Sequence, residues 1–257
     1  VEAMEQIRVA LRQQFLSDRL LGVTSVPVSM PPPSAPRGRR VAPPRAVDAA
    51  ANAERLRFLD ETQVKGCRKC GLCETRTQTV FGQGNPAARL VFVGEAPGFE
   101  EDKQGLAFVG PAGQLLTRMI VAMGLSREEV FICNVLKCRP PGNRDPHADE
   151  ILSCSPYLRE QLSVIQPELI VALGAPAAKT LLNTAQSIGK LRGQFHEFYL
   201  SGVTGDGPSI PVLPTYHPAY LLRSPDEKGK AWADLQMAMD RLGLAKPQRI
   251  PGSSGNK

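Results

Sequence analysis

Four short runs that are apolar almost throughout, Leu90–Val93, Val130–Cys133, Leu169–Leu173 and Val212–Tyr216, alternate with stretches of helical periodicity near 112–123, 147–163, 175–182 and 226–241. A strand that is apolar at every position must be covered on both faces, and helices returning between parallel strands provide that cover. The pattern predicts a three-layer α/β/α fold around a central, mostly parallel four-stranded sheet. Such sheets bind ligands beyond the carboxyl ends of their strands. The segments that follow those ends, Gly94–Gly98, Asn134 onward, Gly174–Pro176 and His217–Tyr220, are also the most polar and the richest in Gly and Pro of this part of the chain. They are the candidate site on topology alone.

The rest of the chain reads differently. Ile7, Leu11, Phe15, Leu20 and Leu21 sit near helical spacing, so residues 1–22 are expected to form an amphipathic helix, docked on the domain or reserved for a protein partner. Seven of the 23 prolines fall between Pro27 and Pro44, interleaved with Arg37, Arg39, Arg40 and Arg45, which predicts a flexible basic linker over 23–50. A globular domain is expected over 51–244 and a disordered tail over 245–257. No apolar run approaches the roughly 18 residues that cross a bilayer, and no basic-then-apolar leader opens the sequence, so the expectation is a cytoplasmic protein of bacterial or archaeal type, a monomer with no membrane partner.

Six cysteines in such a chain argue for a metal site rather than a disulfide framework. Cys67-x2-Cys70 lies in a turn rich in Lys, Arg and Gly, while Cys138 and Cys154 stand far along the chain, in a loop and in a helical stretch. Four thiolates in two distant pairs would clamp the start of the domain onto the sheet. Zinc and a [4Fe–4S] cluster both accept four cysteines. The wide second pair mildly disfavours a zinc ribbon. Cys133 falls in an apolar run and reads as packing; Cys73, three residues beyond Cys70, could be a further ligand.

Taken in order, Cys67-x2-Cys70, Gly94-Glu95-Ala96-Pro97-Gly98, Gly105–Gly110, Asn134-Val135-Leu136-Lys137-Cys138-Arg139-Pro140-Pro141, Cys154 and His217–Arg223 resemble family 4 of the uracil-DNA glycosylase superfamily, its iron–sulfur branch. The likeness runs from about residue 60 to 243. It implies a monofunctional glycosylase that hydrolyses the N-glycosidic bond of uracil in single- or double-stranded DNA and so starts base-excision repair. It also implies a [4Fe–4S] cluster on Cys67, Cys70, Cys138 and Cys154, with Cys73 and Cys133 free. Uracil would meet Gly94, Glu95, Ala96, Glu101, Phe108, Asn134 and His217. DNA would meet Ala219, Tyr220, Leu221 and Arg223.

The residue chemistry suits that implication. A glycosylase takes the base out of the stack and reads its Watson–Crick edge. Phe108, in a Gly-flanked loop, can offer a ring face, and stacking is worth about 1–3 kcal/mol per base. Asn134 can accept from uracil N3–H and donate to O4, a pairing that cytosine reverses. Its amide must be locked against flipping. His217 can stabilise negative charge developing on O2. The segment that follows it combines a rigid turn, apolar wedge candidates and a cation for phosphate. For water activation the expectation is Glu95, with Asn143 positioning the water and Glu101 and Asp102 as the other nearby carboxylates. A related branch of the superfamily reacts covalently through a His in this loop and carries Gln in the first motif, so Asn143 and Ala96 point away from it, with His147 four residues on. The excess of 31 Lys and Arg over 25 Asp and Glu, and the cluster of Lys65, Arg68, Lys69, Lys137, Arg139 and Arg144 around the cysteines, predicts a basic docking surface. A non-catalytic, metal-stapled nucleic-acid-binding module and an iron–sulfur electron carrier or redox sensor are the competing classes.

Overall fold

The computed structural model describes residues 48–245; the expected N-terminal helix, most of the linker and the tail after 245 lie outside them. The linker expected to reach residue 50 stops sooner, because the Asp48 side chain accepts from the N–H groups of Ala50 and Ala51 and caps a helix. The elements in chain order are α1 (Ala49–Leu59), β1 (Gln83–Gly84), β2 (Leu90–Gly94), α2 (Phe99–Gln104), α3 (Pro111–Ala122), β3 (Phe131–Asn134), α4 (Ala148–Ile165), β4 (Leu169–Leu173), α5 (Ala175–Leu182), α6 (Ile188–Leu191), β5 (His196–Tyr199), β6 (Ser209–Thr215), α7 (Pro218–Arg223) and α8 (Lys228–Leu242). Proline in the first turn of α3 and α7 suits the fixed φ there, and Gly105, at φ 71, closes α2 in the left-handed region.

All four apolar runs are strands, and they pair in parallel in the order β3-β2-β4-β6. The sheet has six strands rather than the expected four, because the short β1 and β5 add antiparallel edges to β3 and β6. Side chains alternate between the two covered faces. Val91, Val93, Phe131, Cys133, Ile170 and Ala172 join a core with Leu158 and Leu162 of α4, while Leu90, Phe92, Ile132, Leu169, Val171 and Leu213 join one with Leu116 of α3 and Leu235 of α8. Each Val, Leu, Ile or Phe among them contributes about 1.5–3 kcal/mol on removal from water. No helix among the described residues is long and apolar enough to cross a membrane.

The order of the parallel strands fixes where a site can lie. The chain leaves β2 outward to β3, then returns to β4 on the other side of β2. Its connections therefore diverge at the carboxyl ends of β2 and β4 and leave a crevice there. Gly94, Asn134, Gly174 and the His217 turn all border that end. Buried Asp234 of α8 fixes the last of them by accepting from Thr215 Oγ1 at 2.7 Å and from the Arg192 guanidinium at 2.7 and 3.0 Å, which anchors β6 two residues before His217.

Candidate active site

A cavity of about 410 Å³ opens at the crevice, a size usual for a site that encloses a small organic group. The structure brings Glu95, Ala96, Glu101, Phe108, Asn134 and Asn143 to its wall, with His217, Ala219, Tyr220 and Arg223 from the turn after β6 and from α7. Three of the residues singled out in the sequence do not line it. Gly94 lies beneath, Asp102 is buried and accepts from Thr77 N–H at 2.9 and 3.1 Å, and Leu221 turns inward.

Phe108 has φ 54, a left-handed backbone that bulky residues rarely adopt. Arg127 holds it there, donating to Phe108 O at 3.1 Å, Ala107 O at 2.8 Å and Thr117 Oγ1 at 3.1 Å. The ring then approaches His217, with centroids 5.7 Å apart. A Cβ on Gly94 would collide with both the Phe108 ring and Asn134 Oδ1, so only glycine allows this wall to close. Asn134 is 1% exposed, and its Oδ1 is buried with no hydrogen-bond partner among the described residues. An orphan acceptor of this kind costs about 1–3 kcal/mol, which a ligand N–H would recover.

The carboxylates divide. Glu101 accepts from Gly98 N–H at 3.1 Å, Val109 N–H at 2.9 Å and Gly110 N–H at 2.8 Å, binding the two pocket loops to each other. Glu101 therefore borders the site as a clamp between its loops, with acceptor capacity remaining on Oε2. Glu95 has no such partners, and burial, aided by the Asp145 carboxylate, raises its pKa to about 7. His217 moves the other way. Burial and the Arg223 charge lower its pKa to about 4, against an opposing pull from Glu101. Its Nδ1 faces Ala219 N–H at 3.1 Å and must accept there, which assigns the proton to Nε2. Asn143 has φ 55, and its Oδ1 accepts from Arg139 Nε at 2.7 Å, which leaves its NH₂ to donate elsewhere.

The basic surface is smaller than the sequence suggested. Lys137 is buried, Arg144 donates twice to Glu150 at 2.6 and 2.9 Å, and Lys65 pairs with Asp60 at 3.6 Å. Arg68 and Lys69 are exposed, Lys69 lying 4.7 Å over the Tyr157 ring. On α7, Tyr220 and Leu222 are the exposed apolar groups, 37% and 42% accessible, whereas Leu221 packs with Leu115 and Ala231. Burial removes Leu221 from the expected DNA contacts; helical spacing within Ala219–Leu222 lets only one of two neighbouring leucines face outward.

A second cavity gathers Cys67, Cys70, Cys138 and Cys154, which lie on the turn after α1, the loop after β3 and α4. Cys73 lines it too, while Cys133 is buried in β3. None of the six forms a disulfide. Three of the four sulfurs already have donors: Arg76 reaches Cys138 Sγ, Lys137 N–H reaches Cys154 Sγ and Tyr157 Oη–H reaches Cys67 Sγ, each at 3.2 Å. Burial pushes the Cys138 thiol up to about 11 and raises Cys70 and Cys154 as well, so ligation must displace their protons. Among the described residues no three His, Cys, Asp or Glu converge so as to hold a metal ion. Four soft cysteine sulfurs lining one cavity, three of them already hydrogen-bonded, fit a thiolate-ligated metal group once their protons are displaced.

Comparison with known proteins agrees with this geometry. A family model described as the uracil DNA glycosylase superfamily matches residues 81–236. The chain belongs to the uracil-DNA glycosylase superfamily. It is 49% identical over 168 residues to a type-4 uracil-DNA glycosylase of Saccharolobus solfataricus, covering 63% of this chain and 76% of that protein. To the type-4 enzyme of Archaeoglobus fulgidus it is 42% identical over 189 residues, 72% of this chain and 92% of the relative. A type-5 enzyme of Pyrobaculum aerophilum is more distant, at 31% over 153 residues, 54% of this chain and 64% of that one. The likeness is to the type-4 branch.

For a superfamily member, three features of this chain were not apparent in its sequence. Asp145 lines the pocket and acts on Glu95, yet it reads as an ordinary loop acid. Arg127 lies far along the chain from the Phe108 backbone that it holds. Lys137 looks like one more cation beside a cysteine. In each case the partner is made by tertiary contact, and no local spacing announces it.

Proposed function

We propose that the chain is a monofunctional uracil-DNA glycosylase that removes uracil from DNA by hydrolysis and leaves an abasic site for base-excision repair. One observation carries the reading: the buried, unpartnered Asn134 Oδ1 beside the Phe108 ring at the wall of the pocket. Uracil flipped into this pocket supplies N3–H to that oxygen and accepts from the Asn134 amide at O4. Cytosine presents a bare N3 and an amino group at those places, and sites built on buried polar pairing reject such mismatches by about 10^4–10^5. The Phe108 ring supports the base face.

Bond breaking sends the electrons of the sugar–base bond into uracil. The neutral His217, with its proton on Nε2, donates to O2 as negative charge develops there. Glu95, ionised above about pH 7, faces the cationic sugar and takes a proton from the water that adds to C1′. Asn143, held through its oxygen by Arg139, offers its NH₂ to that water. The products are free uracil and an abasic sugar. Ala219, Tyr220 and Arg223, with Leu222 in the place first given to Leu221, face the DNA at the mouth. Cys67, Cys70, Cys138 and Cys154 would hold a [4Fe–4S] cluster, which supplies a cross-link between three segments of chain and takes no part in the cleavage. The sequence likeness to type-4 uracil-DNA glycosylases supports the reading of the activity.

The test is single-turnover incubation with a uracil-containing oligonucleotide, then alkaline cleavage and a denaturing gel, with Glu95→Ala and His217→Ala alongside. Scission that depends on uracil and slows by about 10²–10³ in the variants is expected. Intact DNA from folded, brown wild-type protein would overturn the reading in favour of binding or electron transfer.

A further inference from the structure

Lys137 is 1% exposed, although lysine is almost never fully buried unless it is paired. Among the described residues it has no ion-pair partner. Its side chain instead donates to two uncharged oxygens, Asn134 O at 2.7 Å and Gln161 Oε1 at 2.7 Å, and Gln161 in turn donates to Phe81 O at 2.9 Å. An apolar side chain of the same length would fill this space without the desolvation that burying an amine brings. What the amine adds is a fixed position for the Asn134 carbonyl. Its own backbone N–H meanwhile donates to Cys154 Sγ at 3.2 Å, and the next residue is Cys138.

We propose that Lys137 is a positioning residue that ties the cysteine centre to Asn134, so that occupancy of the centre sets how firmly the pocket holds a base. The inference rests on the glycosylase and cluster reading given above. The linking segment is short and has no slack. Between its ends, Val135 N–H donates to Gly94 O at 2.9 Å and Leu136 N–H to Glu95 O at 3.0 Å, so a displacement at Cys138 or Cys154 is passed to Asn134 and to the backbone of Glu95. The Asn134 side-chain oxygen has no partner to steady it in the free protein, so its aim depends on how its backbone is held.

The experiment uses the full chain as purified, with iron content and visible absorption read beside equilibrium binding of free uracil and single-turnover kinetics. Lys137→Met keeps the apolar stem and removes the donor. The expected result is unchanged iron and absorption, a tenfold or greater loss of uracil affinity, and a raised half-saturating DNA concentration with the maximal rate changed by less than threefold. A merely structural residue would instead lower the active fraction and leave the affinity of the folded remainder intact. Uracil affinity within twofold of wild type, with iron retained, overturns the proposal. Should Lys137→Met not fold, Gln161→Met removes one of the two anchors, and a threefold or greater loss of affinity is expected under the same criterion. Stripping iron from the wild type should weaken uracil binding, and stripping it from Gln161→Met should weaken it further by a smaller factor, since the link is already loosened. Equal factors would overturn the coupling. A wild-type protein without iron rejects the cluster reading, and one with iron but no uracil affinity rejects the glycosylase reading; both outcomes are distinct from failure at Lys137.

Discussion

The two cavities of this chain treat their polar groups in opposite ways. At the strand ends, Asn134 Oδ1 has no partner and Glu95 is kept from easy ionisation, while at the cysteines three of four sulfurs already receive a hydrogen bond. A pocket that must take up and release a base keeps valences open, at a cost in stability, because the ligand closes them. On the proposed function, the cysteine site would hold a resident group and has every reason to satisfy its ligands in advance. The open acceptor on Asn134 is then what separates the pocket from the cysteine site.

The contrast can be broken from either side. The largest effect belongs to the pocket: His217→Ala should slow single-turnover excision by about 10²–10³ while leaving the iron content as in wild type, and a parallel loss of iron would show that the substitution disturbs more than the pocket. Next, Cys138→Ala should abolish visible absorption and lower the melting temperature by ten degrees or more by calorimetry, since a structural metal group contributes directly to folding. Gly94→Ala follows. Its Cβ collides with Asn134 Oδ1 and Phe108, so uracil affinity should fall at least tenfold by titration, with absorption intact.

The smaller effects concern protons. With Glu95 at about 7, the rate at limiting DNA should fall tenfold per pH unit well below 7 and level off above it, and Glu95→Gln should erase that limb. His217, at about 4, adds no limb between pH 5 and 8. Stability runs the other way. The unfolded Glu95 carboxyl ionises near 4.5 and the folded one near 7, so native stability declines as pH rises through that window and stays lowered above it. Glu95→Gln should accordingly melt higher than wild type at pH 8 and no higher at pH 4. An equal gain at both would mean that the carboxylate is not what strains the pocket.

Most of the scaffold and the place of the candidate site could be read from the chain. The four apolar runs became the four parallel strands because a residue buried on both faces leaves an unmixed signal. Edge strands carry a weaker one: β1 has two residues, and β5, His-Glu-Phe-Tyr, is buried only at Phe198. The six-residue α7 opens on proline and looks like a loop from its composition. Asn134 and His217 were legible because topology puts strand ends at the site. Glu101 lines the pocket as expected, but its second role, holding two loops together through three N–H groups, has no image in sequence spacing. Lys137 was misread for the same reason, since a lysine beside a cysteine reads as surface until its acceptors, Asn134 O and Gln161, are brought to it.

The Glu101 clamp also bears on how the free protein fluctuates. Val109 and Gly110 belong to no strand, yet their amides end on one carboxylate that is itself 9% exposed. Loop amides normally trade their protons with solvent in seconds, whereas these two can do so only when the whole segment from Gly98 to Gly110 lifts at once. Their exchange should then be as slow as that of neighbouring strand amides, and the empty pocket should keep one shape between encounters with DNA.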